Sequence, residues 1–330
     1  MQTYGIPGHM IDIAKDKDFL AYPDPMPNVM KQLVTRNAQE VLIQYECEGK
    51  LDTAKDLHLP VFQHQKCTRF LFYCHSPDFA SQIHKDNYEC FLHNAWPDVR
   101  DDPTFFICIF HNVEEQFGFT WLSENTIVIR RPNSGLDFGA FADGLHFTNL
   151  DALEEKQPTS RVVLFMNDTV YGPTFPWWVQ PRPKWTYVFE SMLSQDVKLA
   201  GMTINTWYRN PHVQSMIMVS DHVGLRIGTQ ACVFARRLDK GKIINISEVG
   251  FSTAVLAAGF NIDCLAELLH GYDYRDKTNL PMQFNDVTYD NKYAGFSIHP
   301  FETVFSKTNR MHREFSKLLL HLPCDQSLIE

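Results

Sequence analysis

Four short, dense runs of apolar residues stand out along the chain: residues 70–74 (FLFYC), 105–110 (FFICIF), 126–131 (TIVIRR) and 162–166 (VVLFM). Runs this short and this apolar are typical of strands that are buried on both faces of a sheet. The stretches between the first and second runs, and between the third and fourth, are long enough for crossover helices. The pattern therefore predicts an α/β protein with a mainly parallel sheet, in which ligands bind at the carboxyl ends of the strands.

The first 60 residues show a different pattern. A proline-rich stretch, YPDPMPN at residues 22–28, precedes a segment whose apolar residues have a mixed helical spacing. This spacing predicts a helical extension over residues 1–60, followed by one α/β domain over residues 61–330.

Polar side chains follow each of the first three predicted strands. His75 follows the first strand, His111 and Asn112 follow the second, and Arg131 and Asn133 follow the third. Because parallel strands end at the same edge of a sheet, we expect these side chains to lie near a ligand there. Taken singly, either histidine also fits an ordinary surface or core position.

Asp137 suits the cap or the first turn of a helix predicted from FGAFADGL (residues 138–145). A helix N-terminus at a sheet edge attracts anions and suits a diphosphate, although helix capping alone explains this aspartate equally well. The chain has neither a Walker loop nor a GxGxxG fingerprint at this place, so the standard nucleotide-binding folds are not supported.

The fourth predicted strand ends in Asn167-Asp168-Thr169. A carboxylate next to an amide offers the oxygen ligands that Mg²⁺ and Mn²⁺ prefer. The pattern thus predicts a divalent ion at Asp168, while the same three residues also fit an Asx turn that closes a strand.

Composition narrows the class of protein. The net charge of −9 argues against a non-specific nucleic-acid binder. The eight cysteines form no CxxC pair and indicate a reducing compartment. With no signal-peptide pattern and no apolar run near the roughly 20 residues of a membrane span, we expect a cytoplasmic protein without a transmembrane segment.

Several motifs, taken together, resemble one known family. RPNSGLDFGAFADGL, VVLFMNDTVYGP, HVQSMIMV and SEVGFSTAVLAAGF follow each other in the order seen in the rhamnan synthesis protein F group of glycosyltransferases. The positions that match include Asn133, Asp137, Asn167, Asp168, Tyr171, His212, Gln214, Ser215 and Glu248. The resemblance runs from about residue 69 to residue 310 and does not include the first 60 residues.

The resemblance implies a GT-A-type fold and the transfer of a sugar to a glycan hydroxyl. The donor would be a UDP-, GDP- or dTDP-sugar, transfer would invert the anomeric carbon, and Mn²⁺ or Mg²⁺ would assist. In the wider superfamily a DxD motif holds the metal. Here Asn167-Asp168-Thr169 takes that place with one acid where two are usual, so Asp168 is the expected ligand, and strict metal dependence does not follow.

The same reasoning assigns the reacting groups. Glu248, at a predicted strand-to-helix transition, is the expected general base, and Asp221 is the second choice; Glu248 also fits a simple helix cap. Lys307 and Arg310 are expected to reach the diphosphate. The acceptor is expected to contact aromatic and polar side chains that follow the fourth strand or lie in HVQS: Tyr171, Trp177, Trp178, His212 and Gln214.

Two other functions use the same features. A nucleotidyl or phosphoryl transferase would use an acid at a strand end with a helix N-terminus, and would release pyrophosphate from a triphosphate. A non-catalytic carbohydrate-binding protein would use the aromatic side chains, which make up 13% of the residues, without needing Glu248.

Overall fold

A computed structural model of the chain describes residues 31–37, 40–46, 67–75, 82–111, 125–130, 135–148, 161–176, 178–206, 210–234, 240–281, 286–308 and 310. Within these ranges, helices pack on both faces of a nine-stranded mixed sheet.

The strands of the large sheet are β1 (Lys31–Asn37), β2 (Glu40–Glu46), β3 (Arg69–His75), β4 (Phe105–His111), β5 (Thr126–Arg130), β6 (Val162–Asn167), β8 (Val197–Gly201), β11 (Ile217–Asp221) and β12 (Asn261–Cys264). Their order is β1-β2-β5-β4-β3-β6-β11-β8-β12. Two small sheets pair β7 (Val170–Tyr171) with β13 (Ser306–Lys307), and β9 (Ile204–Asn205) with β10 (His212–Val213).

The four predicted strands are confirmed as β3, β4, β5 and β6. They lie side by side and run parallel, with β3 between β4 and β6. Strand β11 is antiparallel to both β6 and β8, so β8 runs in the same direction as β6. The carboxyl ends of β5, β6 and β8 therefore share one edge of the sheet, which is the edge where the sequence predicts the ligand.

Helices connect the strands and cover the sheet. Helix α1 (Gln82–Cys90) continues through a π-helical segment, Phe91–Ala95, into α2 (Trp96–Arg100). The later helices are α3 (Leu136–Thr148), α4 (Trp185–Glu190), α5 (His222–Gln230), α6 (Lys240–Lys242), α7 (Val249–Ala257) and α8 (Pro300–Thr303), together with a 3₁₀ turn at Glu267–Leu269. A second π-helical segment, Ile243–Glu248, joins α6 to α7.

The predicted helical extension is wrong for the part of residues 1–60 that the structure describes. Strands β1 and β2 form an antiparallel hairpin, and β2 pairs in parallel with β5 at the edge of the sheet. The segment EVLIQYE is rich in β-branched and aromatic residues, which favour strands, and the backbone groups of β5 need a neighbour.

The sheet separates two apolar cores because successive side chains of a strand point to opposite faces. Phe70 and Phe72 of β3 pack on one face with Phe138 of α3. Leu71 and Tyr73 pack on the other face with α1 and α4. Each large side chain buried in this way contributes about 1.5–3 kcal/mol, so the strand ends are held in fixed positions.

The segment that carries Lys307, near the end of the described chain, returns to pair with the short strand β7. Ser306 and Lys307 pair with Tyr171 and Val170. Gly172 has a φ of +151°, and a Cβ atom there would come within 2.7 Å of the Phe305 ring. The glycine of the sequence VYGP is therefore what allows residues 304–307 to dock.

Two further expectations concern cysteines and membranes. The cysteines whose side chains are described are free thiols, and four of them, Cys67, Cys74, Cys90 and Cys264, are buried. None of the helices in the described ranges has both the length and the apolarity needed to cross a bilayer.

Candidate active site

Two polar residues meet where β5 and β6 end. Asn167 is the last residue of β6, and Asp137 lies in the first turn of α3, which follows β5. The Asn167 side-chain amide donates a 3.0 Å hydrogen bond to Asp137 Oδ2, and the Phe138 backbone N–H donates to Asp137 Oδ1. Burial raises the pKa of Asp137, although these donors, the Ser215 hydroxyl and the charge of Lys307 all oppose the rise.

Glu248 joins this pair from another part of the chain. It is the last residue of the π-helical segment Ile243–Glu248, and such segments are frequent at functional sites. The backbone N–H of Ser215 donates a 3.0 Å hydrogen bond to Glu248 Oε1. Ser215 thus contacts both acids, with its N–H on Glu248 and its hydroxyl on Asp137.

The pKa of Glu248 is raised to about 7, chiefly by burial and in addition by the negative charge of Asp137. The Ser215 N–H and the charges of Lys307 and Arg310 act in the opposite direction without cancelling the rise. A carboxylate with such a pKa can hold or release a proton near neutral pH, which is what a general acid or base needs.

Lys307 and Arg310 supply positive charge beside the two acids. Burial lowers the pKa of Lys307, against the attraction of Glu248 and Asp137. Within the described part of the chain, no acceptor lies within hydrogen-bond or salt-bridge distance of the Lys307 ammonium. Arg310 forms an ion pair with Asp286, and its guanidinium lies 4.8 Å from the centre of the Tyr289 ring.

We call Asp137, Asn167, Ser215, Glu248 and Lys307 the carboxylate cluster. Asp168, the next residue after Asn167, points away from it. His75 Nδ1 lies 2.8 Å from Asp168 Oδ2, and His84 Nδ1 lies 3.2 Å from Oδ1. Although burial acts to raise the pKa of Asp168, the hydrogen bonds from the two histidines hold it below its usual range.

Asn87 links this acid to the last described strand. Its side-chain amide donates a 2.9 Å hydrogen bond to the Asp168 carbonyl, and its Oδ1 accepts a 3.1 Å bond from the Thr308 hydroxyl. Thr308 follows Lys307 directly. Asn87 therefore fixes the end of β6 and the segment that carries Lys307 relative to each other.

The arrangement around Asp168 does not fit the predicted divalent ion. The aspartate is 2% exposed, and each of its carboxylate oxygens lies against a histidine ring. In the ranges given above, no group of three or more His, Cys, Asp or Glu side chains is placed to hold a metal ion. The metal requirement stays a prediction from the sequence.

The structure does not bring the second candidate base to the cluster. Asp221 pairs with Val162, the first residue of β6, so it lies at the opposite edge of the sheet, roughly 16 Å from Asn167 at 3.3 Å per residue. There it caps α5 by accepting hydrogen bonds from the N–H groups of Val223 and Gly224, and it pairs with Lys198 at 2.7 Å.

Most of the described residues that were predicted to contact the acceptor are buried or already hydrogen-bonded within the protein. Gln214 is 5% exposed and accepts a hydrogen bond from Thr203, while Tyr171 is 4% exposed and lies in β7. His212 Nδ1 contacts the Asn210 carbonyl, and burial lowers the pKa of His212. Trp178 is 61% exposed, with its ring edge against Phe301.

Five predicted positions lie outside the description. They are the side chain of His111 and the whole of Asn112, Arg131, Asn133 and Trp177. Two features of the site escaped sequence reasoning. Ser215 belongs to the motif HVQS but received no role, and His84 and Asn87 lie three residues apart on α1, a spacing that places both on one face of the helix.

One comparison identifies relatives of the chain. The family model described as rhamnan synthesis protein F matches residues 112–285, more than half of the 330 residues. The match confirms the resemblance and includes Asp137, Asn167, Ser215 and Glu248, while Lys307 lies beyond it. None of the curated proteins matches the sequence.

Proposed function

The chain belongs to the rhamnan synthesis protein F family, and on that premise we propose that it is a glycosyltransferase of polysaccharide assembly. It transfers a sugar from a nucleoside-diphosphate sugar to a hydroxyl group of a glycan. The observation that carries the proposal is Glu248, whose pKa is raised to about 7 beside the ammonium of Lys307. Glycosyl transfer needs both groups, a base for the acceptor and a cation for the leaving diphosphate.

Glu248 acts as the general base. It takes the proton of the acceptor hydroxyl while that oxygen bonds to the anomeric carbon, and the bond from this carbon to the diphosphate oxygen breaks. The bonding electrons leave with the nucleoside diphosphate. A single displacement of this kind inverts the anomeric carbon and passes through an oxocarbenium-like transition state. A well-placed base contributes about 10²–10⁴-fold to the rate.

Asp137 and Ser215 prepare this base. The charge of Asp137 raises the pKa of Glu248, which makes the carboxylate a stronger base, and the Ser215 N–H fixes the orientation of Oε1. Asn167 holds Asp137 in place through its side-chain amide. The three residues are positioning residues in this scheme, because they act through Glu248.

Lys307 and Arg310 stabilise the negative charge that develops on the leaving diphosphate. Positive groups in a partly buried site are effective here because solvent screens them weakly. In this scheme no step needs a divalent ion at Asp168. The GT-A type of fold is part of the proposal on the resemblance alone, whereas assistance by Mn²⁺ or Mg²⁺ stays a prediction from the sequence that this scheme does not include.

A donor-binding screen tests the proposal. UDP-, GDP- and dTDP-sugars are added to the wild type, to Lys307→Met and to the control Lys277→Met, which removes an exposed lysine. We expect one nucleotide class to raise the melting temperature of the wild type and the control. We expect binding to Lys307→Met to be about 10–100-fold weaker, since a charged hydrogen bond is lost.

The products of turnover distinguish a glycosyltransferase from the two alternative functions. Release of a nucleoside diphosphate together with a glycosylated product supports a glycosyltransferase. Release of pyrophosphate from a nucleoside triphosphate would point to a nucleotidyl transferase instead. Saccharide binding with no binding of any nucleotide sugar would leave a carbohydrate-binding protein.

A further inference from the structure

Tyr289 presents an exposed aromatic ring next to Arg310, one of the two cations beside Glu248. The residue is 48% exposed, and the guanidinium of Arg310 lies over its ring. We propose that Tyr289 is the surface on which the nucleobase of the donor stacks. The proposal rests on the proposed function, because a nucleobase enters this site as part of a nucleoside-diphosphate sugar.

The turn that carries Tyr289 is held firmly. Val287 is fully buried in the apolar core, and the Asp286 carboxylate accepts hydrogen bonds from the backbone N–H and the hydroxyl of Thr288. The Tyr289 N–H donates a 3.2 Å hydrogen bond to the Asp286 carbonyl. Asp286 also forms the ion pair with Arg310, so one residue fixes both the turn and the guanidinium. The ring is therefore positioned before a ligand arrives, which reduces the entropy lost on binding.

The exposed surface of the ring suits a flat, uncharged group. Arg310 covers one face, so the accessible area lies mainly on the other face and along the edge of the ring. A base stacks on an open aromatic face without needing an enclosed cavity, and every base has a π-face that does so. The guanidinium behind the ring stabilises the ring in this orientation through a cation–π contact.

The order of charges across the site places the nucleoside at this end. Lys307 interacts electrostatically with Glu248 and Asp137, and Arg310 interacts with Glu248. In the proposed reaction the acceptor hydroxyl lies at Glu248, and the leaving diphosphate lies at the two cations. A single displacement has the acceptor and the leaving group on opposite sides of the anomeric carbon. The group next to the diphosphate at Arg310 is therefore the nucleoside and not the glycan.

Tyr187 offers a matched control. It is also an exposed tyrosine, and the guanidinium of Arg69 lies over its ring at 5.0 Å from the centre. Arg69 is the first residue of β3, so this pair lies at the opposite edge of the sheet from the carboxylate cluster. An effect that occurs with Tyr289 and not with Tyr187 therefore depends on the position of the ring in the site.

Nucleotide binding tests the proposal. Isothermal titration measures the affinities of UDP, GDP, dTDP and inorganic pyrophosphate for the wild type, Tyr289→Leu, Tyr289→Phe and the control Tyr187→Leu. Pyrophosphate carries the charge of a diphosphate but no base, so it shows whether a substitution acts through Arg310. Thermal unfolding checks that each variant is folded.

We expect the nucleoside diphosphate that binds best to bind Tyr289→Leu about tenfold or more weakly than the wild type, since the stack of a base on an aromatic ring is lost. Tyr289→Phe keeps the ring, so it and the control should retain the wild-type affinity. Pyrophosphate should bind all four proteins equally. The proposal is overturned by unchanged nucleotide affinity in Tyr289→Leu, by an equal loss for pyrophosphate, or by a loss in Tyr289→Phe as large as that in Tyr289→Leu.

The two proposals fail in different ways. Unchanged nucleotide affinity together with a raised KM for the glycan in Tyr289→Leu would assign the ring to the acceptor and overturn base stacking alone. Nucleotide binding that depends on the Tyr289 ring, in a protein that releases pyrophosphate from a triphosphate and transfers no sugar, would overturn the proposed function while the base site stands. Absence of binding by all three nucleotides would overturn both.

Discussion

Asp168, which is buried, and Glu248, which is half-buried, are two acids at the same edge of one sheet, yet their surroundings give them opposite properties. Asp168 has a histidine ring against each carboxylate oxygen, and its pKa is lowered. Among the described residues, Glu248 accepts one hydrogen bond, from the Ser215 N–H, and has an acid for a neighbour, and its pKa is raised to about 7. The number of donors, rather than the depth of burial, decides which acid can exchange a proton near neutral pH.

The comparison also suggests different roles for the two acids, a structural role for Asp168 and a chemical role for Glu248. Through Asn87, Asp168 is connected to the strand that carries Lys307, so it supports the geometry of the site. Glu248 is the group that we propose to react. Substitution of Glu248 should therefore change turnover, and substitution of Asp168 should change stability.

The largest effect is expected from Glu248→Gln. The amide keeps the shape of the side chain but cannot take a proton, so turnover should fall about 10²–10⁴-fold while nucleotide-sugar affinity stays unchanged. Single-turnover kinetics at a saturating donor concentration measure this. Turnover above about a tenth of the wild-type rate would show that another group is the base.

Asp168→Asn should act on stability instead. It removes the charge that two histidines contact, and hydrogen bonds to charged groups are worth about 1.5–3 kcal/mol each. We expect the free energy of unfolding, measured by urea denaturation, to fall by about 2–3 kcal/mol. The control is Asp101→Asn, an exposed acid bonded to its neighbour Arg100, which should change stability by less than about 1 kcal/mol. Equal losses in the two variants would contradict the structural role of Asp168.

The pH dependence of stability should have opposite signs for the two acids. Because its pKa is raised, Glu248 makes a contribution to the free energy of unfolding that is complete below the ordinary pKa of a glutamate, about 4.3. This contribution is lost as the pH rises through about 7. We compare the free energy of unfolding of Glu248→Gln with that of the wild type at each pH. The difference should favour the variant by about 1–2 kcal/mol more at pH 8 than at pH 5, a value reduced for solvent screening of a half-buried group.

The lowered pKa of Asp168 gives the reverse behaviour. Its contribution is present above the ordinary pKa of an aspartate, about 3.9, and is lost as the pH falls below that value. Urea denaturation at pH 3, 5 and 8 measures both dependences. Parallel pH curves for the wild type and Glu248→Gln would show that Glu248 has an ordinary pKa.

The smallest effect is expected from divalent ions. Since Lys307 and Arg310 supply the charge that a diphosphate needs, the donor should bind in the presence of EDTA, and Mn²⁺ should leave its affinity nearly unchanged. An isothermal titration with and without Mn²⁺ measures this. Complete loss of donor binding in EDTA would instead support the metal site that the sequence predicts.

Much of the fold followed from local sequence. The runs that form β3 to β6 are mostly apolar because both faces of the sheet are covered, and such runs are easily recognised. The hairpin of β1 and β2 was missed because its apolar spacing also fits a helix. Only its pairing with β5, a contact distant in sequence, decides between the two.

The same limit applies to the site. The structure brings Glu248, Asp137 and Lys307 together, at positions that strand ends and motif order indicate, and their roles stay predictions. The roles of Asp168 and Asp221 depend on which side chains face them. His84 lies 84 residues from Asp168, and Lys198 lies 23 residues from Asp221, and no local pattern contains either contact.

Strands β7 and β13 are only two residues long, and their pairing places Lys307 in the site. The Asn87–Thr308 hydrogen bond, the hydrogen bonds of Thr174 to the Val304 carbonyl and the packing of Phe305 against Gly172 and Trp185 add to the attachment. A segment held by one two-residue ladder and by side-chain contacts can open while the nine-stranded sheet stays folded, because local openings cost less than global unfolding. Hydrogen exchange at residues 304–308 should therefore be faster than in β6, and a bound diphosphate that engages Lys307 should slow it. On the proposed function, the substrate would thus close the wall of its own binding site.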